Sequence, residues 1–481
     1  MRYSQAWQTG QFPVRLIPEL GYKYGYPVFN FVYPLPYLVS SLFVFLGLDF
    51  GTSAKLWLAA STVLSVYLMY LALRNHASEL TSALGASLYL LVPYRFLSLF
   101  VTGQLGTISS FIWPPALFYA TYRLITKQDK LAKILLAISI FGIITAHLLA
   151  LIMLTPILFS YALILIQDKS KPKLIWQKLI MAGFTGLLLA SFYWLPAILE
   201  TKLIAAGERE IVDYAGHFVS FKQLLYSPWG YGYSNPGFED LMSFQVGLAQ
   251  WLIIFIALPT LIKNILQKKP QFLSLLFLFF ILLTLFLMLP ASKFLWDHLP
   301  VLPKLQHPWR LLLIPMSLIP FLAALILQNF KSNWLKVGTA SLIFALAFYG
   351  TRNYARPMEA ARYPDNHYVS DGSLYYGSTD VSWEFMPRAV PDQPKSFSTQ
   401  SLEPQLITGS ASEPVSLDLF YFPMWQVKLN DKKINTFPNA QGLLSFQAPP
   451  GEQQLELKLQ STRIQKLGNA LSLLGFLILF I

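Results

Sequence analysis

Apolar runs of about twenty residues, the length that crosses a bilayer core, recur along most of the chain. They fall at 54–73, 80–98, 105–124, 131–147, 149–167, 178–198, 246–265, 271–289, 308–328 and 334–351, and a last run opens near 464. The pattern predicts about eleven membrane-spanning helices. A shorter run at 37–48, "YLVSSLFVFLGL", follows Pro34 and Pro36. It is too short to span and predicts a helix dipping into or lying along one leaflet. Between 352 and 461 the period changes. "VSLDLFYF" (415–422), "WQVKLN" (425–430), "LLSFQA" (443–448) and "QQLELKLQ" (453–460) alternate as strands do, with turns expected at Asn430–Asp431 and at "PPGE" (449–452). The fold class read from this pattern is an all-α polytopic membrane protein with a small β domain. Its parts are a juxtamembrane segment 1–53, a helical domain 54–351 with a long loop at 199–245, a β domain 352–461 and a terminal helix 462–481.

Loop charge sets the orientation. Arg123, Lys127, Lys130 and Lys133 mark one basic loop, and Lys169, Lys171, Lys173 and Lys178 a second. Lys263, Lys268 and Lys269 mark a third, and Lys331 with Lys336 a fourth. These alternate with connections that carry no Lys or Arg and with the net acidic 199–245. The positive-inside rule puts the basic loops in the cytoplasm. Residues 1–53, the 199–245 loop and the β domain then lie on the outer face of the cytoplasmic membrane. The interfacial aromatics of 22–33 and the charges Arg15, Glu19 and Lys23 would sit near the headgroups.

Composition agrees. Of 481 residues 54% are hydrophobic and 12% charged, with a mean hydropathy of +0.48; soluble domains carry about 25% charged residues. The net charge of +12 is gathered in short loops, which argues against nucleic acid as a partner. There are no cysteines, so disulfides, thiolate metal sites and cysteine nucleophiles are excluded. No cleavable signal peptide is visible at the start.

The expected outer face holds the unusual polar residues. The 199–245 loop carries Glu200, Lys202, Glu208, Arg209, Glu210, Asp213 and His217, then "YSPWGYGYSNPGFEDLMSFQVG" (226–247). Trp229 and Tyr231 in that run suit stacking on a sugar ring or a lipid headgroup; equally, they suit an interfacial loop. In "LQHPWRLL", Arg310 beside Trp309 opens a span, where it can clamp a phosphate or snorkel to the interface. His147 lies between two apolar runs, a position that suits either function or a satisfied backbone group. No HExxH, P-loop, GxGxxG or Ser/His/Asp arrangement is evident in the sequence, nor the paired intramembrane charges of an ion-coupled pump.

"GQFPVR" (10–15), "YKYGYPVFNFVYPLPY" (22–37), "PYRF" (93–96), "SPWGYG" (227–232), "QHPWRLL" (306–312) and "YFPMWQVKLND" (421–431) occur in one order. In this the chain resembles bacterial polytopic membrane proteins labelled 6-pyruvoyl-tetrahydropterin synthase-related and, more distantly, the GT-C superfamily of membrane glycosyltransferases. Nothing in the sequence supports pterin chemistry. The resemblance implies a GT-C-like fold and transfer of a sugar from a polyprenyl-phosphate donor to an envelope glycan, lipid or protein. It also implies a first outer loop with a catalytic Asp and a following His ahead of Met1. Residues 9–37 match the later half of that loop, so the chain is expected to begin after its first helix and to stop within its last. Two further positions depart from the pattern: "VTGQLGT" (101–107) stands where relatives carry an Arg-Gly…Glu pattern, and Met424 where they carry Gly.

Such a reaction needs a base for the acceptor and a cation for the leaving phosphate. Arg15, Lys202 and Arg310 are the candidate phosphate partners, and Glu19, Glu200 and Asp240 the candidate base or metal-binding carboxylates. A divalent metal is compatible with the chemistry, but no ligand cluster declares one. Two alternatives remain open: a non-catalytic membrane protein that binds envelope glycan or lipid, and a flippase or transporter of lipid-linked sugar.

Overall fold

The computed structural model describes residues 1–207, 213–358, 383–391, 394, 396–410 and 413–480. Glu208, Arg209 and Glu210 lie outside them. The chain is mostly helical and divides into two compact units. One comprises Met1–Ala54, Leu188–Ile211 and Arg362–Leu477; the other comprises Lys55–Leu187, Val212–Ala361 and Ile478–Ile481.

Among the described residues, seven helices are long and apolar enough to cross a membrane, or nine if two bent pairs each count as one span. They are Phe50–Arg74, Glu79–Thr102, Lys130–Ile166, Leu248–Leu266, Pro308–Gln328, Asn333–Thr351 and Arg463–Phe480. One of the expected spans takes another form. The run at 105–124 is split into Leu105–Ser110 and Trp113–Thr126, because Pro114 and Pro115 lack the N–H groups that would continue the first helix. The runs 131–147 and 149–167 form two helices within Lys130–Ile166, separated at His147, whose φ of −167° and ψ of 90° are extended backbone. Trp113 lies against Gly142 near the end of the first half, and Ile125 clusters with Ala162 and Ile166 at the end of the second, so the two halves fold back at His147 as the expected hairpin does.

Within the larger, helical unit, Pro308–Gln328 is the central element. Its sequence is apolar on all sides, and 89% of its apolar window is buried, as such a helix requires. Phe321 on it meets Phe118 at 4.9 Å and Phe277 at 5.2 Å between ring centroids. The outer helices keep one apolar side bare. Val63, Ile180, Met181, Phe255 and Phe348 are all exposed, a distribution that fits hydrocarbon rather than water as the surrounding medium.

The other unit gathers three segments far apart in sequence. Its β domain has two antiparallel sheets, in the orders β1-β7-β3-β4 and β2-β6-β5. The strands are β1 (Gln405–Gly409), β2 (Val415–Phe420), β3 (Trp425–Leu429), β4 (Lys432–Ile434), β5 (Thr436–Pro438), β6 (Leu443–Phe446) and β7 (Gly451–Leu459). Alternation puts Leu417, Leu419, Val427, Leu429, Leu444, Phe446 and Leu455 inside. Asn430 and Asp431 both take positive φ, 47° and 64°, and close the β3–β4 hairpin as their sequence suggests. The N-terminal segment packs onto this core. Leu16 enters it, Phe420 N donates to Tyr24 O at 2.7 Å, and Tyr24 stacks on Phe420. The helix Arg463–Phe480 lies close along 188–192. A Cβ on Gly468 would fall 2.6 Å from Ser191 O, and one on Gly475 2.7 Å from Leu189 N. Small residues at such a contact let two helix backbones approach.

Candidate functional site

The nine candidate residues divide between the two units. Arg15, Glu19, Glu200 and Lys202 belong to the β-containing unit; Asp240, Trp229, Tyr231, Trp309 and Arg310 belong to the helical unit.

In the first group, Arg15 and Glu200 meet in one buried network. Arg15 Nη1 donates to Asn30 Oδ1 at 3.0 Å, and its Nη2 donates to Phe192 O at 2.8 Å and Asn469 Oδ1 at 3.0 Å. Asn30 Nδ2 donates to Glu200 Oε2 at 2.8 Å, and Gln465 Nε2 donates to the same oxygen at 3.0 Å. The Thr462 hydroxyl donates to Glu200 Oε1. Arg15 and Glu200 are each 2% exposed. Burial pushes the Arg15 guanidinium down to about 10, against the opposing pull of the Glu200 charge, so it stays a cation at neutral pH. The pair is a lock that ties the N-terminal segment to residues 192–200 and to the last helix; it presents neither a phosphate clamp nor an open base. Glu19 is exposed on a turn closed by the Ile17–Tyr26 bridge, and Lys202 is exposed on a 3-10 turn, Thr201–Leu203.

The second group is different. The loop 213–247 is built from short capped turns. Asp213 caps the turn Tyr214–His217 by accepting from Ala215 N. Ser220 and Gln223 form a reciprocal capping box on Phe221–Leu225. Gln223 then reaches across the loop, its Nε2 donating to Asp240 Oδ2 at 2.9 Å, while Asn235 N donates to Oδ1 at 3.0 Å. The Ser234 side chain also bonds Asp240. Ser234 Oγ lies 3.0 Å from His217 Nδ1. An ionised carboxylate only accepts, so Ser234 gives its single proton to Asp240 and receives the Nδ1–H of His217. That order fixes the His217 tautomer and leaves Nε2 as a proton acceptor.

His217 faces His307, with ring centroids 4.6 Å apart and planes at 86°. His307 stacks on Trp309 at 5.2 Å, and Phe244 stacks on Trp309 at 5.6 Å. Arg310 follows, its Nη1 donating to Leu305 O at 2.9 Å and Gln306 Oε1 at 2.7 Å. Gln306 holds this position at a positive φ of 65°, a strained backbone for a residue with a side chain. Burial lowers His307 to about 3, with the Arg310 charge a further cause, and burial lowers His217 against the opposing pull of Asp240 and Asp213. Burial raises Asp240, and its three hydrogen bonds oppose that rise. The result is a neutral, oriented imidazole at one end of an aromatic strip that leads through His307 and Trp309 to one cation, Arg310.

Trp229 and Tyr231 fall elsewhere in the loop. Trp229 stacks on Tyr354 at 4.1 Å and 10°, and the Tyr231 hydroxyl donates to Arg356 O at 2.8 Å. Asp240, a candidate base from sequence, orients His217 here instead. The Asp240–Ser234–His217 chain and the His217–His307 contact were not evident in the sequence, because they join positions brought together only by the turns. Among the described residues, no group of three or more His, Cys, Asp or Glu is placed to hold a metal ion. No family model, no curated protein and no solved structure matches this chain.

Proposed function

We propose that the chain is a GT-C-like membrane glycosyltransferase of about eleven spans, which takes a sugar from a polyprenyl-phosphate donor at the outer face and passes it to an envelope acceptor. The observation that carries this reading is the placing of His217, oriented through Ser234 by Asp240, in the same strip as Arg310. Transfer from a phosphate-linked donor needs a base to take the acceptor's proton and a cation to offset the charge left on the phosphate. His217 Nε2 has the protonation state for the first role, and Arg310 has the fixed charge for the second. His307 and Trp309 lie between them and give the strip an aromatic wall.

The test is transfer by the full chain in lipid nanodiscs, with a radiolabelled polyprenyl-phosphate hexose and a bacterial envelope fraction as acceptor. Label is expected in the acceptor with the wild type. His217→Asn keeps a donor toward Ser234 but lacks the Nε2 base, and should lower kcat about a hundredfold or more. A well-folded wild type that transfers no label, or a His217→Asn variant with unchanged kcat, overturns the reading.

A further inference from the structure

A cavity of about 630 Å³ opens in the helical unit, and none of His217, His307, Trp309 and Arg310 lines it. It lies where the helices Leu248–Leu266 and Asn333–Thr351 have their ends, beside Trp229 of the loop. Its volume is in the range of pockets that hold small ligands.

Two hydrogen-bond donors line it without acceptors among the described residues. Gln250, 1% exposed, has a buried amide nitrogen with no partner, and the Trp229 indole N–H is in the same condition. Buried donors are normally satisfied, and leaving one unmade is unfavourable. Both point to a ligand that brings oxygen acceptors. Gln250 sits in the first turn of Leu248–Leu266, where the helix dipole also favours negative charge. Arg352, on the cavity wall, adds a cation. Gly247 lets the Gln250 amide lie against the backbone: a Cβ there would fall 2.3 Å from Gln250 Oε1. Part of the wall is apolar, with Leu225, Leu248, Leu346 and Ala347 on it, and Gln245, Thr351 and Asn353 add polar groups. Donors, a cation and, among the described residues, no lining carboxylate, next to an apolar wall at the ends of membrane-length helices, match one chemical class.

We infer that this cavity binds the phosphate ester of a lipid, with the phosphate oxygens accepting from Gln250 and Trp229 near Arg352 and the chain running along Leu248 and Leu346. The inference does not depend on sugar transfer, since binding is read without turnover. Two sources share this chemistry, bulk phospholipid and polyprenyl phosphate.

The experiment is native mass spectrometry of the delipidated full chain in detergent, titrated separately with phosphatidylglycerol, a polyprenyl phosphate and inorganic phosphate. One lipid per chain is expected to bind, with inorganic phosphate failing to displace it because it lacks the apolar chain. Tighter binding of phosphatidylglycerol assigns the cavity to bulk lipid, and tighter binding of polyprenyl phosphate assigns it to the isoprenoid carrier. Gln250→Leu and Trp229→Phe each remove one donor and keep the bulk, and each should weaken the bound lipid about tenfold. Trp229→Phe keeps the aromatic stack on Tyr354, so it reports even where Gln250→Leu fails to fold. Wild-type binding in both variants, or no retained lipid of either kind in the wild type, overturns the inference.

Discussion

Asn30 accepts from Arg15 at 3.0 Å and, through its own amide, donates to Glu200 at 2.8 Å, so one neutral side chain bridges two buried opposite charges. Removing one charge leaves the other buried and uncompensated. Glu200→Ala should therefore destabilise the protein by about 3–5 kcal/mol, and Glu200→Gln by less, since the amide oxygen still accepts. The double variant Arg15→Met/Glu200→Leu should recover much of that loss, because a hydrophobic pair fills the site without a stranded charge. Melting of the four proteins in one detergent checks the order; equal melting of Glu200→Ala and the wild type would remove the lock.

The Asp240–Ser234–His217 chain sets a pH dependence. Burial depresses His217 and the Asp240 charge opposes it, so the proposed base is neutral at pH 7 and is lost as pH falls through its folded pKa. Asp240→Asn removes the opposing charge, and the acid limb of kcat should move to lower pH. Ser234→Ala removes the link that holds the tautomer; kcat should fall about tenfold or more, with KM little changed. A kcat–pH profile of the three proteins decides this, and an acid limb that stays in place in Asp240→Asn counts against Asp240 as the orienting group.

Much of the architecture was legible because it rests on local pattern. Apolar runs of membrane length and the alternation in 415–460 mark their elements without reference to anything distant. The division at 105–124 was also written in the sequence, in Pro114 and Pro115, but a run of hydropathy does not register a missing N–H. The polar sites were less legible. Asn30 is one amide between Phe29 and Phe31, and Gln465 one amide near the start of a terminal helix; neither signals its partner, since the partner arrives from a remote segment. Arg15 and Glu200 were readable as unusual, yet whether a charge is open or locked depends on what packs over it. Gln250 was invisible for the same reason: an amide in the first turn of a span is ordinary until the space beside it is known.

His307 gives a stability prediction of definite sign. Its folded pKa is pushed down to about 3, far below the ordinary value for an unfolded histidine of about 6.5. The unfolded chain therefore takes up a proton that the folded chain refuses as pH falls below about 6.5. Stability from this group is complete above that pH and declines from there toward pH 3. The wild-type melting temperature should drop more between pH 7 and pH 4.5 than that of His307→Gln, which has no proton to gain. Parallel slopes for the two proteins would show that His307 is not held neutral.

The contact of the last helix with residues 188–192 is sensitive to a single methyl group. Gly468 faces the Ser191 carbonyl, and Gly475 faces the backbone of Leu188 and Leu189, at distances no Cβ tolerates without movement of one backbone. Gly468→Ala should destabilise by about 1–3 kcal/mol, the usual range for overpacking. Gly338 is the matched control. It also lies in a membrane-length helix, Asn333–Thr351, but nothing lies within 4 Å of a Cβ built there. Gly338→Ala should be neutral or stabilising by up to about 1 kcal/mol, because alanine is the better helix former. The two variants differ from the wild type by the same methyl group and carry opposite expectations, so their melting curves separate helix–helix contact from helix propensity. A Gly468→Ala protein as stable as Gly338→Ala would mean that the last helix does not pack closely on residues 188–192.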